Sequence, residues 1–309
     1  MQHFNEQALR QHLSYRRLAD RIGQYMASAV ITPKRIHLDY HNPGREDSTL
    51  LLMPAWREGD YLGVKNVTIT PDNGQFGLPS IHAHYLLFNA TSGILLATMD
   101  GKVLTNIRTA AASLFMAKKL ANPQSKHYLV VGTGNLSADY IQAFHSHFKF
   151  DNISIWGRNT AKAEAKAQSM QALGLPVTAV ENLVQAQQEA DIISTLTLAI
   201  SPLVLHQHSR PGQHYDLVGA YKPDRREADG LLLKNAAVWV DTEFGALHEA
   251  GDIIMAINEG NFTAKNITGT IADIATTTPI FNPNTITLFK SVGHAAQDLA
   301  AAGMVYEAS

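Results

Sequence analysis

Cysteine is absent from this chain. Its absence excludes disulfides, thiolate zinc sites and a cysteine nucleophile, and by itself leaves the compartment open. No apolar run approaches the roughly 20 residues that span a bilayer, and the opening MQHFNEQALRQHL has no apolar core of signal-peptide type. The expectation is a cytoplasmic protein without a membrane partner. An excess of one charge sign is missing as well: 25 basic against 27 acidic residues leave a formal net charge of −2. That balance gives no reason to expect nucleic acid as a partner. Neither a G-x-S-x-G elbow nor an H-E-x-x-H helix is present, so hydrolase chemistry has no anchor. Internal repeats, low-complexity tracts and long charge runs are missing too.

What is present is a chain of 309 residues, 45% hydrophobic and 17% charged, enough to bury a large core in two domains or one large one. The stretch HYLVVGTGNLSADYIQAFHSHF, from His127 to Phe148, organises the rest. It predicts a buried strand, a glycine turn and a helix carrying Leu136, Ile141, Phe144 and Phe148 at helical spacing. In such a turn, running Gly132, Thr133, Gly134, Asn135, Leu136, the first glycine permits the tight bend and the second lets the backbone approach a pyrophosphate. Free N–H groups at the helix start then point at the anion. Ser137 stands at the third fingerprint position. Glycine turns also occur in α/β proteins that bind no nucleotide; the flanking strand and helix favour dinucleotide binding.

Residues 5 to 25 predict one helix with Leu9, Leu13, Leu18 and Ile22 near one face, ended by Pro33. The runs RIHLDY from Arg35, TLLLMP from Thr49, DYLGVKNVTI from Asp60, IHAHYLLF from Ile81 and GILLATM from Gly93 predict a mainly antiparallel or mixed sheet. Thr105 then predicts the cap of a helix, NIRTAAASLFMAKKL, that ends near Asn122 and Pro123. From Tyr128 onward short apolar runs alternate with alanine-rich helical segments, the pattern of a doubly wound parallel sheet. The expected organisation is a first domain over residues 1–120, a nucleotide domain over 121–293, and a C-terminal helix, 294–309, that returns to the first domain.

The second strand of the nucleotide domain ends in IWGRN, with Arg158 and Asn159 where an acidic ribose contact is usual. Arginine there pairs with a 2′-phosphate and leans the cofactor to NADPH, with NADH still possible; the alternative is a solvated surface charge. Lys65 shares strand parity with Tyr61, Val67 and Ile69, and a lysine on a mostly apolar face is costly unless an anion meets it. Arg108 is placed in the first turn of the helix capped by Thr105, where side chain and free N–H groups grip one carboxylate together. Arg35 offers a third positive contact. For all three the alternative is again a solvated charge. Among histidines two apart, only His82 and His84 share a strand face, and no carboxylate or thiolate cluster completes a metal site.

These residues resemble the ornithine cyclodeaminase and mu-crystallin family over most of the chain. The resemblance is carried by LMPAW at Leu52, GVK ending at Lys65, GLPS at Gly77, LLATMDGKVLTNIRTAAAS from Leu95, VVGTGN at Val130, IWGRN at Ile155, STLT at Ser194, VGAYKPDRREAD at Val218 and TLFKSVGHAAQDLAAA from Thr287. It implies an α/β protein: a Rossmann doubly wound parallel sheet joined to a mixed α+β domain for substrate binding and dimerisation, assembled as a homodimer. It also implies roles. Lys65 falls on the active-site lysine, Arg108 on the carboxylate-binding arginine, Arg35 on a second carboxylate contact and Ser80 on a pocket hydroxyl. Gly132, Thr133, Gly134, Asn135, Leu136, Arg158, Asn159, Thr195, Leu196, Thr197, Val218 and Gly219 fall on dinucleotide contacts, with Val292 and Gly293 near the nicotinamide.

Two departures narrow the implied activity. The cyclodeaminases of the family carry an aspartate two residues after the first glycine of a VGA-like turn and a glutamate just before LMP; here those positions hold Tyr221, implied to line the substrate pocket, and Leu51. Losing ammonia from an oxidised diamino acid needs a carboxylate base, whereas returning hydride to a cyclic imine does not. The implied function is therefore NAD(P)H-dependent reduction of a cyclic ketimine carboxylate, Δ1-pyrroline-2-carboxylate or its six-membered homologue, to L-proline or L-pipecolate. Three alternatives stay open: an ornithine cyclodeaminase using Glu227 or Asp224 as base, both expected toward solvent; an alanine dehydrogenase-like enzyme; and a mu-crystallin-like small-molecule binding protein.

Overall fold

The computed structural model describes every residue from Met1 to Ser309. Contacts divide it into two units, Met1–Thr109 with His294–Ser309, and Ala110–Gly293. The division falls inside one continuous helix, Gly101–Leu120, whereas the sequence pattern places it at that helix's end.

The first unit opens with β1 (Gln2–Phe4), α1 (Glu6–His12), α2 (Tyr15–Met26) and β2 (Val30–Ile31), followed by β3 (Ile36–Tyr40), β4 (Ser48–Arg57), β5 (Tyr61–Ile69), β6 (Ile81–Asn89) and β7 (Leu95–Asp100). The sheet order is β1-β7-β6-β5-β4-β2, with β3 also pairing β4. β4 to β7 are antiparallel neighbours, and β1 runs parallel to β7. Alternation places Met53, Ala55, Lys65, Val67, Tyr85, Leu87, Ala97 and Met99 on one buried face. The C-terminal helix packs against β4, β5, β6 and α2, and its run Ala295–Val305 is wholly buried. Small alanines let that helix sit close to the strands.

Two expectations are corrected here. The single helix over residues 5–25 is two, because Leu13 and Ser14 are extended; Leu9, Leu13, Leu18 and Ile22 are all buried, so the apolar spacing survives the break. The cap of the next helix, α3 (Gly101–Leu120), is Asp100 and not Thr105. The Asp100 carboxylate accepts the N–H groups of Lys102 and Val103, both at 3.0 Å. Thr105 instead donates back to Gly101 O at 2.7 Å, as interior helical threonines do. Arg108 is therefore well inside the helix, and only its side chain is available to an anion.

The second unit runs β8 (His127–Val131), α4 (Leu136–Phe148), β9 (Asn152–Trp156), α5 (Thr160–Gln171), β10 (Val177–Ala179), α6 (Leu183–Glu189), β11 (Ile192–Thr195), β12 (His214–Leu217), α7 (Gly230–Asn235), β13 (Ala236–Val240), α8 (Glu243–His248), α9 (Gly251–Asn258), β14 (Ile267–Thr270), α10 (Ile271–Ala275) and β15 (Ile286–Lys290), and the chain closes with α11 (Ala295–Glu307) of the first unit. All eight strands are parallel in the order β10-β9-β8-β11-β12-β15-β13-β14. The direction of winding reverses between β8 and β11, the switch point at which such sheets bind dinucleotides. Register aligns Trp156 with Val131, Val131 with Thr195, Thr195 with Leu217, Leu217 with Lys290 and Lys290 with Val240. Six strands thus end level.

Candidate active site

In the first unit, Lys65, Arg108 and Asp298 form one buried charge cluster. Lys65 Nζ donates to Asp298 Oδ2 at 2.7 Å, Arg108 Nε to Asp298 Oδ1 at 2.8 Å, and Arg108 Nη1 to Gln297 Oε1 at 2.6 Å. Lys65 is 3% exposed, Arg108 5% and Asp298 not at all. One carboxylate thus faces two cations, and the surplus positive charge is buried, an arrangement that is costly without an anion to meet it. The Gln297 amide nitrogen is also buried without a hydrogen-bond partner, a second donor in want of an acceptor. Burial pushes the Lys65 ammonium down to about 8; Asp298 opposes that shift, while Arg108 and Arg35 add to it. Burial would push the Asp298 carboxyl up, yet Arg108 and Lys65 outweigh it and hold the group below its usual range.

Arg35, half-buried before β3, is close enough to act on Lys65 through its charge. Ser80 is not hydrogen-bonded to the cluster: its hydroxyl donates to Pro71 O at 3.3 Å and closes the loop ahead of β6. His82 and His84 are exposed, and no group of three His, Asp or Glu side chains converges as a metal site.

In the second unit the level strand ends bring the expected dinucleotide residues to one edge. Gly132 follows β8 with φ of +127°, and a Cβ there would meet Leu196 O at 3.0 Å; glycine is what lets the two loops at the switch point approach. A Cβ at Gly134 would meet nothing within 4 Å. Asn135 precedes α4 without a side-chain cap bond, leaving first-turn N–H groups for an anion such as a pyrophosphate. At the end of β9, Arg158 is exposed and its guanidinium engages no protein partner, while Asn159 caps α5 through Lys162 N. These features fit a dinucleotide. Arg158 is the residue that would hold a 2′-phosphate.

Buried carboxylates fix the remaining loops, and neither is apparent from the sequence pattern. Glu227 Oε1 accepts Thr197 N at 2.6 Å and Thr197 Oγ1 at 2.8 Å, and its Oε2 accepts Gly219 N at 2.7 Å and Ala220 N at 3.2 Å. It clasps the turns after β11 (Thr195, Leu196, Thr197) and β12 (Val218, Gly219). Those turns touch so closely that a Cβ on Gly219 would lie 1.9 Å from Thr197 O. Asp241, just past β13, accepts Ser291 Oγ, Val292 N and Gly293 N through Oδ2 at 3.0, 2.8 and 2.7 Å. That fixes the Val292–Gly293 turn. Glu227 is thus fully buried and saturated, contrary to the expectation that it faces solvent; Asp224 is exposed and paired with Arg225. Tyr221 is 39% exposed, with its N–H on Gly219 O.

Asp298 and Gln297 carry a sequence signal: they are the polar pair in the otherwise apolar AAQDLAAA run, and acidic residues are seldom buried unpaired. No local pattern marks Glu227 or Asp241, whose partners come from distant loops.

The model of the ornithine cyclodeaminase/mu-crystallin family matches residues 12–309. The Δ1-pyrroline-2-carboxylate reductase of Paracoccus denitrificans is 33% identical over 265 residues, 85% of this chain and 84% of that protein. The ketimine reductase mu-crystallin of Rattus norvegicus is 34% identical, covering 83% of this chain and 79% of its own. A solved structure, the Δ1-pyrroline-2-carboxylate reductase of Thermococcus litoralis in complex with NADH and L-proline, is 29% identical with a TM-score of 0.91, covering 100% of this chain and 97% of that one. With its α/β fold and a match over nearly its whole length, the chain belongs to the ornithine cyclodeaminase/mu-crystallin family.

Proposed function

We propose that this protein is a nicotinamide-dependent ketimine reductase that converts Δ1-pyrroline-2-carboxylate to L-proline, takes the six-membered homologue to L-pipecolate, and prefers NADPH. The observation that carries the reading is the buried surplus of positive charge at Lys65 and Arg108. A carboxylate on the imine carbon neutralises it, with Arg35 adding attraction. Two named reductases among its relatives support the same reaction class. The nicotinamide, when bound, supplies the hydride. Lys65, charged below about 8, keeps the ring nitrogen protonated so that the C=N carbon is electrophilic, and the amine formed retains that proton.

Tyr221 and Leu51 stand where a deaminase needs carboxylates, and Glu227 has its oxygens committed to backbone N–H groups. A phenol is a poor substitute for a carboxylate base at neutral pH. The enzyme is therefore expected to oxidise NADPH with the preformed ring imine and to release no ammonia from L-ornithine. Ammonia release at a comparable rate would return the assignment to cyclodeaminase, and turnover of pyruvate with ammonia alone would move it to an alanine dehydrogenase-like activity. Tight ligand binding with no imine turnover would leave a binding protein.

Arg158 carries the cofactor preference. Arg158→Asp is expected to weaken NADPH binding by about 1.5 to 3 kcal/mol, the range of a charge-assisted contact, while NADH is spared. Equal losses in the two dissociation constants would remove Arg158 from cofactor choice.

We also propose a homodimer. Every residue of β3 is exposed in the single chain, and Ile36, Leu38 and Tyr40, on one strand face, are 46%, 49% and 44% exposed. An apolar stripe of that kind is seldom left to water. Light scattering at twice 33.8 kDa is the expected result; a monomeric mass at working concentration would exclude it.

A further inference from the structure

The family resemblance assigns no role to the start of α11, yet this is where the structure ties the two active-site cations together. Asp298 lies in the first turn of α11 and is completely buried. Its two oxygens are divided between two elements, Oδ2 taking Lys65 from the centre of β5 and Oδ1 taking Arg108 Nε from α3. Gln297, one residue earlier, takes Arg108 Nη1. Bonds to Nε and Nη1 fix the plane of the guanidinium and so the direction of its other edge.

We propose that Asp298 is a positioning residue: by bridging Lys65 and Arg108 it sets their spacing for one carboxylate and holds Lys65 in its charged, proton-donating form. The proposal rests on the ketimine reductase reading for its kinetic arm and on the cluster geometry alone for its spectroscopic arm.

Lys65 is enclosed on every side. Met53 of β4 flanks it in register and carries no charge, and Tyr85 of β6 flanks it on the other side. The Tyr85 hydroxyl is buried without a hydrogen-bond partner, and burial pushes its pKa well above the ordinary value, so it is a neutral phenol. α3 presents Arg108 and the segment before β3 presents Arg35, both positive; α11 presents Asp298 and the uncharged Gln297; Tyr25 of α2 acts on Tyr85 and not on Lys65. Among these groups Asp298 is the sole negative charge. Remove it, and burial and two guanidinium groups act on the ammonium unopposed, all favouring the neutral amine. A neutral Lys65 neither attracts a carboxylate nor protonates an imine.

The inference predicts a particular failure for Asp298→Asn, which keeps the shape and removes the charge. In the wild type, kcat/KM for the imine is expected to fall as pH rises through about 8, where Lys65 loses its proton. In Asp298→Asn that limb is expected to move down by about one pH unit or more, each unit being a tenfold change in the charged fraction above the limb. Activity lost at pH 8 is then largely regained at pH 6. Because any titration of the imine itself is common to both proteins, the shift between them reports on the enzyme. A loss of equal size at every pH would show a merely structural role and overturn the proposal.

Lysine-labelled NMR follows the same group without substrate, with the Lys65 signal assigned by its disappearance in Lys65→Met. Arg108→Gln removes the competing cation and leaves the Lys65–Asp298 pair, so the Lys65 titration is expected to move upward; Asp298→Asn moves it downward. Opposite shifts with no imine turnover would support the positioning role and count against the reductase reading. Turnover with a Lys65 titration unmoved in both variants would do the reverse. Should Asp298→Asn fail to fold, the Arg108→Gln shift and restoration of the wild-type limb by Asp298→Glu decide the matter, and absence of both overturns it.

Discussion

Lys290→Met is expected to destabilise the second unit by about 3 to 5 kcal/mol, the range for breaking a buried ion pair by removing one partner. Lys290 ends β15 and is almost wholly enclosed, with Nζ 2.8 Å from Asp252 Oδ2. The other Asp252 oxygen accepts the N–H groups of Glu227 and Ala228, at 2.6 and 3.0 Å. One ammonium thus stands against two fully buried carboxylates. Burial already pushes the Glu227 carboxyl above its usual range, Lys290 working against that and Asp252 with it. Without the lysine, both acids are left to protonate or to remain charged and unpaired. Protonated Glu227 cannot accept the same set of donors from Thr197, Gly219 and Ala220, so dinucleotide affinity is expected to fall along with the denaturation midpoint. Adding Asp252→Asn is expected to recover part of the loss, because the second carboxylate then no longer needs a partner. A Lys290→Met protein within about 1 kcal/mol of the wild type in chemical denaturation would refute the account.

How much of this was legible in the sequence depended on the range of the interactions. Strand alternation in DYLGVKNVTI put Lys65 on the face of Val67, and that face is buried. The level strand ends that gather Gly132, Arg158, Thr197, Gly219 and Gly293 follow from an all-parallel sheet whose short apolar runs were visible one by one. The structure caps α3 at Asp100 and not at the expected Thr105 because DGKVLTN offers several residues of capping type, Asp100, Thr105 and Asn106, and local sequence does not choose among them. β1 and β14 are too short, at three and four residues, to carry a period. Asp298 lies 233 positions from Lys65 and 190 from Arg108; no local pattern reports a partner at that distance. The insertion of β15 between β12 and β13 is equally invisible, since it is a matter of pairing and not of periodicity.

Lys65→Met and Arg108→Leu are each expected to cut kcat/KM for the ring imine by about 10²-fold or more, since displacement of a reacting centre by a fraction of an ångström is already costly. The losses differ in kind. On the proposed mechanism Lys65→Met removes the proton donor and one half of the carboxylate's counter-charge, and kcat is expected to fall with kcat/KM. Arg108→Leu removes a binding charge, and the larger part of its effect is expected in KM. Each single variant leaves Asp298 with one cationic partner, so both proteins are expected to fold and to bind the nicotinamide cofactor as the wild type does. The double variant leaves Asp298 buried without either of the two cations that pair with it. Its activity is expected to be little worse than that of the poorer single variant, because the two side chains act as a unit on one carboxylate. Its stability is expected to drop by about 3 to 5 kcal/mol, the cost of a buried, unpaired carboxylate, or by less as Asp298 takes up a proton. Near-normal turnover in either single variant, with thermal melting unchanged, would take that residue out of the mechanism; fully additive losses in the double variant would separate the two roles.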